Sequence, residues 1–267
     1  MKKIQFLFKQ KKPLKFLLGY LLWKTGLCVF ITFKVKDVKF KFSRSGLSRS
    51  LFIDRDYINE DIDYLNRYLK KGDVFIDVGS NIGTWAIFAA QATGNIGEVL
   101  CFEPHPITFK YLKENITINN FANINAYNVG CSDTDGDLYF TSNLDDMNHI
   151  IAEKENAIIV PVKKLDYYTE NYSKIKLIKI DVEGFELSVL KGAIKTLQKA
   201  NIIIFESFEI FQNSFNYKTA DMISFLQQNE FKVYKTNDIN AGKELNGNYS
   251  SEKNENLIAF ASDFIAY

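Results

Sequence analysis

From Asp54 onward, short apolar runs alternate with amphipathic segments, and this pattern restricts the fold more than any other feature. It is clearest at "DVFIDVGSNIGTW", Asp73–Trp85. A strand at Val74–Asp77 ends on a carboxylate, turns through Gly79 and Gly83, and enters a helix at Thr84–Thr93. Trp85, Phe88 and Ala89 mark the helix's inner side. "EVLCFEP", "INAYNVG", "IKLIKID" and "NIIIFES" read as further strands. Helices are expected through Ile62, Leu65 and Leu69 before "KKGD", from Pro106 (Phe109, Leu112, Ile116), over Glu186–Ala200 and through Met222–Gln228. "DLYFTS" and "AIIVPVKKL" read as extra strands around the polar loop Asn143–His149. "FKVYK" and "NLIAFAS" close the chain as a helix-free pair. Strands alternating with helices build a doubly wound, mostly parallel α/β sheet, and the final pair adds an antiparallel edge.

In such a sheet ligands bind outside the carboxyl ends of the strands. The first strand brings Asp77 to that edge, and the next helix aims its free N–H groups at the same place. Twenty residues after Gly83 the second strand ends at Glu103, where an acid can accept both hydroxyl hydrogens of a ribose. The loop therefore suits a nucleoside. It does not suit a dinucleotide, because a G-x-G-x-x-G frame would need glycine at 77 and 82, where Asp77 and Ile82 stand. An acid at the loop entrance repels phosphate and attracts ammonium, such as that of S-adenosylmethionine.

"FIDVGSNIG", "CFEPHP", "LKENITINN", "VGCSD", "DDMNHI" and above all "IKIDVEGFELSVLKGA" followed by "IIIFE" resemble the FkbM family of S-adenosylmethionine-dependent methyltransferases, over about Asp54–Glu206. The resemblance implies a seven-stranded class I methyltransferase sheet and methylation of hydroxyls, often on sugars of surface glycans or glycolipids. Carried over by position, Asp77, Gly79, Ser80, Asn81 and Gly83 would bind the methionine side of the cofactor. Glu103 and Pro104 would serve the ribose, and Gly130, Ser132 and Asp133 would lie near the adenine. Ser80 and Cys131 depart from the alanine and the aliphatic residue usual at those positions.

Methyl transfer needs the acceptor oxygen aligned and its proton removed. Asp181, ending strand four, ranks first as orienting group or base, with helix capping as its alternative. Glu183 lies just beyond, and Glu186 falls in a helical first turn where the dipole alone favours an acid. Glu206, ending strand five, could pair with Asp181 as a Mg²⁺ site or as a base with its partner; both readings stay open. His149 is a candidate base in the irregular insertion. His105 frames the ribose pocket or fixes its turn, and Lys179 is expected to pair with a nearby carboxylate.

The net charge of +1 conceals two opposed halves. Residues 1–53 hold eleven Lys and two Arg against Asp37 alone, a balance of +12, which leaves −11 on residues 54–267. The boundary is drawn there: a basic extension ahead of a methyltransferase domain. Leu14, Leu17, Leu18, Leu21 and Leu22 recur at helix spacing after Pro13, and "FKVKDVKFKF" reads as a hairpin. Three roles are open for Leu14–Phe33: an interfacial helix, a packing element or lid, and a membrane span. The span is weakened by Lys24, whose cost of about 3 kcal/mol nearly cancels the apolar gain. The cysteines Cys28, Cys101 and Cys131 have no metal spacing and read as reduced, buried thiols in the cytoplasm, with peripheral contact at the inner membrane face through residues 1–53. The expected partner is a carbohydrate or glycolipid acceptor. Nucleic acid is disfavoured by the acidic body and by the lack of an N-P-P-Y motif after strand four. The competing functions are O-methylation of a small natural product and a non-enzymatic, membrane-attached nucleoside-binding module.

Overall fold

The computed structural model describes residues 12–141, 150–151 and 157–264. His149 lies outside the described residues. The central sheet, numbered in chain order, consists of β1 (Val74–Val78), β2 (Glu98–Phe102), β3 (Ile124–Tyr127), β4 (Ile175–Ile180), β5 (Ala200–Ser207), β6 (Phe231–Lys235) and β7 (Glu255–Ala261). Its spatial order is β3-β2-β1-β4-β5-β7-β6. β1 to β5 run parallel, and β7 is antiparallel to both its neighbours, one place in from the edge strand β6. This is the doubly wound class I methyltransferase sheet. The order reverses between β1 and β4, which places the ligand crevice at their carboxyl ends.

The strands form because they are apolar on both faces: Phe75, Ile76, Leu100, Phe102, Leu177, Ile178, Ile202 and Ile203 have no exposed surface. The helix Thr84–Thr93 has eight buried residues, so it is covered all round, not on one side only. A second, four-stranded sheet is made by Gly130–Cys131, Gly136–Thr141, Ile150–Ile151 and Ala157–Lys163. It supplies an apolar wall beside the ends of β1 and β2.

The long helix expected over Glu186–Ala200 is instead two short ones, Glu186–Lys191 and Ile194–Leu197, and Ala200 already belongs to β5. The break has a local cause. Gly192 passes so close to the Ser132 carbonyl that a side chain would overlap it, and Asp166 draws the next turn in by accepting from the backbone N–H groups of Lys195 and Thr196.

The N-terminal region folds as a helix (Pro13–Thr25), the hairpin Thr32–Val35/Val38–Lys41 and a helix Gly46–Ile53. Its apolar residues continue the main core across the charge boundary: Cys28, Phe33, Phe40, Phe42 and Phe52 share one buried cluster with Trp85, Ile87 and Phe88. Asn115 and Asn119 lock the hairpin to the body by accepting from the Lys41 and Lys39 backbone N–H groups. Among the described residues no helix is long and apolar enough to cross a membrane.

Candidate active site

Two loops face each other across the β1–β4 seam. The first follows β1. Gly79 and Ser80 donate backbone N–H groups to the Phe102 carbonyl, and the Ser80 hydroxyl donates to Asp77 O while accepting from Phe102 N. That bridge gives Ser80 a reason to replace alanine. Gly79 sits at φ +81, and a side chain there would strike the Asp181 carbonyl, so the two loops can meet only over bare backbone. The second loop, after β4, is braced by Glu186. Its carboxylate accepts from the Val182 and Gly184 N–H groups and from the Tyr217 hydroxyl. Glu186 is 1% exposed and acts as a structural clamp. Asn81 (φ +49) and Glu183 (φ +53), one in each loop, hold left-handed backbone that non-glycine residues seldom adopt.

Between the loops opens a cavity of about 250 Å³. Gly79, Ser80, Asn81, Glu103, Pro104 and Gly130 line it, as do Asp181 and Glu183. Asp77, Gly83, Ser132, Asp133 and Glu206 do not. Asp77 has no exposed surface and lies behind Lys179. Gly83 serves as the N-cap of the helix Thr84–Thr93, and Ser132 donates to Asp133.

One end of the cavity is apolar, with Phe102, Pro104, Cys131, Phe140 and Ile150 from β2 and the small sheet. Glu103 closes that end. Its two oxygens accept from the His105 and Asn81 backbone N–H groups and keep further lone pairs. Burial pushes its carboxyl up to about 7, against the pull of those two hydrogen bonds. His105 caps the helix Pro106–Asn119 through Nδ1, which accepts from Thr108 N. The Asn81 Oδ1 is buried without a donor. These groups fit S-adenosylmethionine: an apolar slot for adenine, an acid for the ribose diol, and an unsatisfied acceptor, Asn81 Oδ1, for an ammonium.

The other end is charged. Lys179 Nζ stands 3.1 Å from Asp181 and 3.8 Å from Asp77. Burial alone would lower its pKa, but Asp181 and Asp77 outweigh burial and hold the amine above the ordinary lysine range. Asp77 is pushed up to about 6 by burial, with Lys179 opposing. Asp181 differs in that its side chain is 37% exposed at the cavity. Asp61, from the helix Asn59–Tyr68, joins the group unforeseen. Burial pushes it up to about 6, while Lys179 and a hydrogen bond from Trp85 pull the other way. Leu47, Tyr57 and Ile58 complete this rim. As an acid in a helical first turn Asp61 reads as a dipole partner, and nothing local marks Leu47, in the basic extension, as part of the site's wall.

Asp181, Glu183 and Glu206 bring one carboxylate oxygen each within 4.8 Å of one another. Glu206 accepts from Asn254 at 2.7 Å. Burial, then the charges of Asp181, Glu183 and Glu186, push it up to about 10, so it carries its proton at neutral pH.

Comparison with known proteins agrees with this geometry. The sequence profile of the Methyltransferase FkbM domain matches residues 77–233. The chain belongs to the FkbM methyltransferase family. A hexuronic acid methyltransferase, AglP, of Haloferax volcanii is 34% identical over 141 residues, covering 51% of this chain and 56% of that protein. Methyltransferase 1 of Beauveria bassiana is 30% identical over 142 residues, 44% of this chain and 57% of that protein. The 31-O-demethyl-FK506 methyltransferase FkbM of Streptomyces tacrolimicus is 38% identical over 69 residues, 26% of this chain and 24% of that one. The chain thus spans little more than half the length of the first two of these relatives.

Proposed function

We propose that this FkbM-family chain uses S-adenosylmethionine to methylate a sugar hydroxyl in a surface glycan or glycolipid. The observation that carries the reading is one cavity holding Glu103 beside an apolar slot at one end and a half-exposed Asp181 at the other. When bound, the cofactor supplies an electrophilic methyl group. This chain's residues do the rest. Glu103 and the Gly79–Asn81 loop fix the nucleoside and its amino acid. Asp181 orients the acceptor hydroxyl and takes its proton, and Lys179 Nζ holds it from 3.1 Å away. Asp77 holds Lys179 in place from below.

The charged end also bears on the acceptor. Among the described residues its one cavity-lining cation, Lys179, is already shared by Asp77 and Asp181, and Asp61, Asp181 and Glu183 also line the cavity. A carboxylate-bearing sugar would meet repulsion there, whereas a neutral sugar offers hydroxyl donors to these acids. The AglP relative supports sugar as the acceptor class, and the rim supports a neutral ring. Leu47, Tyr57 and Ile58 favour a second reading, an apolar natural product carrying a hydroxyl.

The test is methyl transfer from isotopically labelled cofactor to neutral glycolipids, uronic acid glycans and macrolide-type alcohols. Turnover on neutral sugars, lost in Asp181→Asn, is the expected result. Turnover confined to uronic acids would remove the argument from the rim, and none on any acceptor would leave the non-enzymatic nucleoside-binding reading. Added Mg²⁺ tests the three-acid cluster: metal-dependent turnover would assign Asp181, Glu183 and Glu206 as its ligands, and an unchanged rate would leave them to the acceptor and to one another.

A further inference from the structure

The helix Pro13–Thr25 turns its leucine stripe away from the protein. Leu14, Leu17, Leu18 and Leu21 recur at i, i+3, i+4 and i+7, the spacing that on a globular helix marks the face toward the core. Here they are 84, 43, 50 and 49% exposed. The helix is held by its other side. Gly19, its one buried residue, lets the backbone lie against Phe52 and Ile53; Leu22 and Trp23 pack on the main core, and Arg49 stacks over the Trp23 ring. The chain then adds exposed Leu27, Val29 and Phe30, the last 85% exposed. The stripe is therefore an apolar face added to a helix that is already attached, and large exposed apolar patches mark interaction surfaces.

Charge identifies the occupant. Lys24 is exposed at the margin of the stripe, and Lys34, Lys36 and Lys39 are exposed on the hairpin. Among the described residues, the ion pairs within 4.0 Å engage none of these four. Residues 1–53 carry +12 and the remainder −11, so an anionic plane attracts this region and repels the body, which orients the approach. A helix of 13 residues is about 20 Å long, too short for a hydrocarbon core of roughly 30 Å but suited to lying in the interface.

We propose that the outward face of Pro13–Thr25, continued by Leu27–Phe30, docks on a bilayer surface rich in anionic phospholipid headgroups. Leucines enter the acyl boundary and lysines meet the headgroups.

The test is cosedimentation of the full chain with vesicles of pure phosphatidylcholine and of phosphatidylcholine with 30% phosphatidylglycerol (about the anionic content of a charged leaflet). Wild type is compared with Leu14→Gln/Leu18→Gln/Leu21→Gln, whose sites are exposed and whose melting temperature should match wild type. Expected are partition into the anionic vesicles only, weakening as salt rises, and at least tenfold weaker partition of the triple variant. Equal binding to both vesicles, no binding to either, or unchanged binding of the triple variant would overturn the proposal. Self-association in lipid-free buffer that the triple variant abolishes, without vesicle binding, would assign the stripe to a second copy and likewise overturn it. A triple variant that melts early is replaced by Leu14→Gln alone, read the same way.

Discussion

Asp77 lies inside β1, in register with Lys179 of the adjacent parallel strand β4, and Asp181 is the first residue past the end of β4; the two aspartates share that lysine. Their surroundings set them apart. Asp77 has no exposed surface, and burial lifts its carboxyl to about 6. Asp181 lies closer to the ammonium and keeps more than a third of its side chain exposed to the cavity. The same residue type thus supplies a buried counter-ion on one strand and a group able to meet an acceptor on the other. What separates them is two residues of register: Asp77 is still inside its strand, and Asp181 has already left its own.

The strongest test of that division is the contact between the loops. Gly79→Val places a side chain against the Asp181 carbonyl at a backbone angle valine cannot adopt. We expect loss of folded protein or, in any soluble fraction, loss of the thermal shift on adding S-adenosylhomocysteine. Next come the two aspartates. Asp181→Asn should cut turnover by about 10²–10⁴-fold, the usual contribution of a positioned base, with cofactor affinity retained. Asp77→Asn should cost roughly tenfold, since Lys179 keeps its closer partner. The reverse order of effects, read from steady-state kinetics on one acceptor, would exchange their roles.

A smaller effect concerns stability. The Glu206 carboxyl is raised in the folded chain from 4.5 to about 10. A raised acid binds its proton more tightly folded than unfolded, so its stabilising contribution is full below about 4.5 and is lost as pH rises toward 10. Glu206→Gln keeps an acceptor for Asn254, so it should flatten melting temperature against pH over that interval and raise it by a few degrees at neutral pH. A drop at pH 7 would show that the carboxylate form is the one the fold uses. The smallest change is expected from Asp61→Asn, a modest shift in the acid limb of the rate profile near pH 6, where both Asp61 and Asp77 titrate; an unchanged limb would remove Asp61 from the site.

The comparison also shows what can be read from a chain of this kind. An acid ending a strand, followed by glycines and a helix, is a local signal, so the β1 loop and the places of Glu103 and Asp181 at the cavity were legible, along with a doubly wound, mostly parallel sheet. Three features were not, because each depends on what arrives from elsewhere in the chain. Gly192 breaks a well-patterned helix only because the Ser132 carbonyl occupies the space beside it. Asp61 enters the cavity because its helix packs against the one starting at Thr84. The leucines of Pro13–Thr25 have the period of a buried face, and only Gly19, seated against Phe52 and Ile53, shows which way the helix turns.

The most direct measurement is calorimetric titration of S-adenosylmethionine into wild type and Glu103→Ala between pH 5.5 and 8.5. The ribose requires Glu103 as a carboxylate, and burial sets its carboxyl at about 7. We therefore predict one site per chain, affinity falling as pH drops below that value, and at least tenfold weaker binding to the variant at pH 8. Binding of equal strength to both proteins, or none to wild type, would contradict the assignment of this cavity.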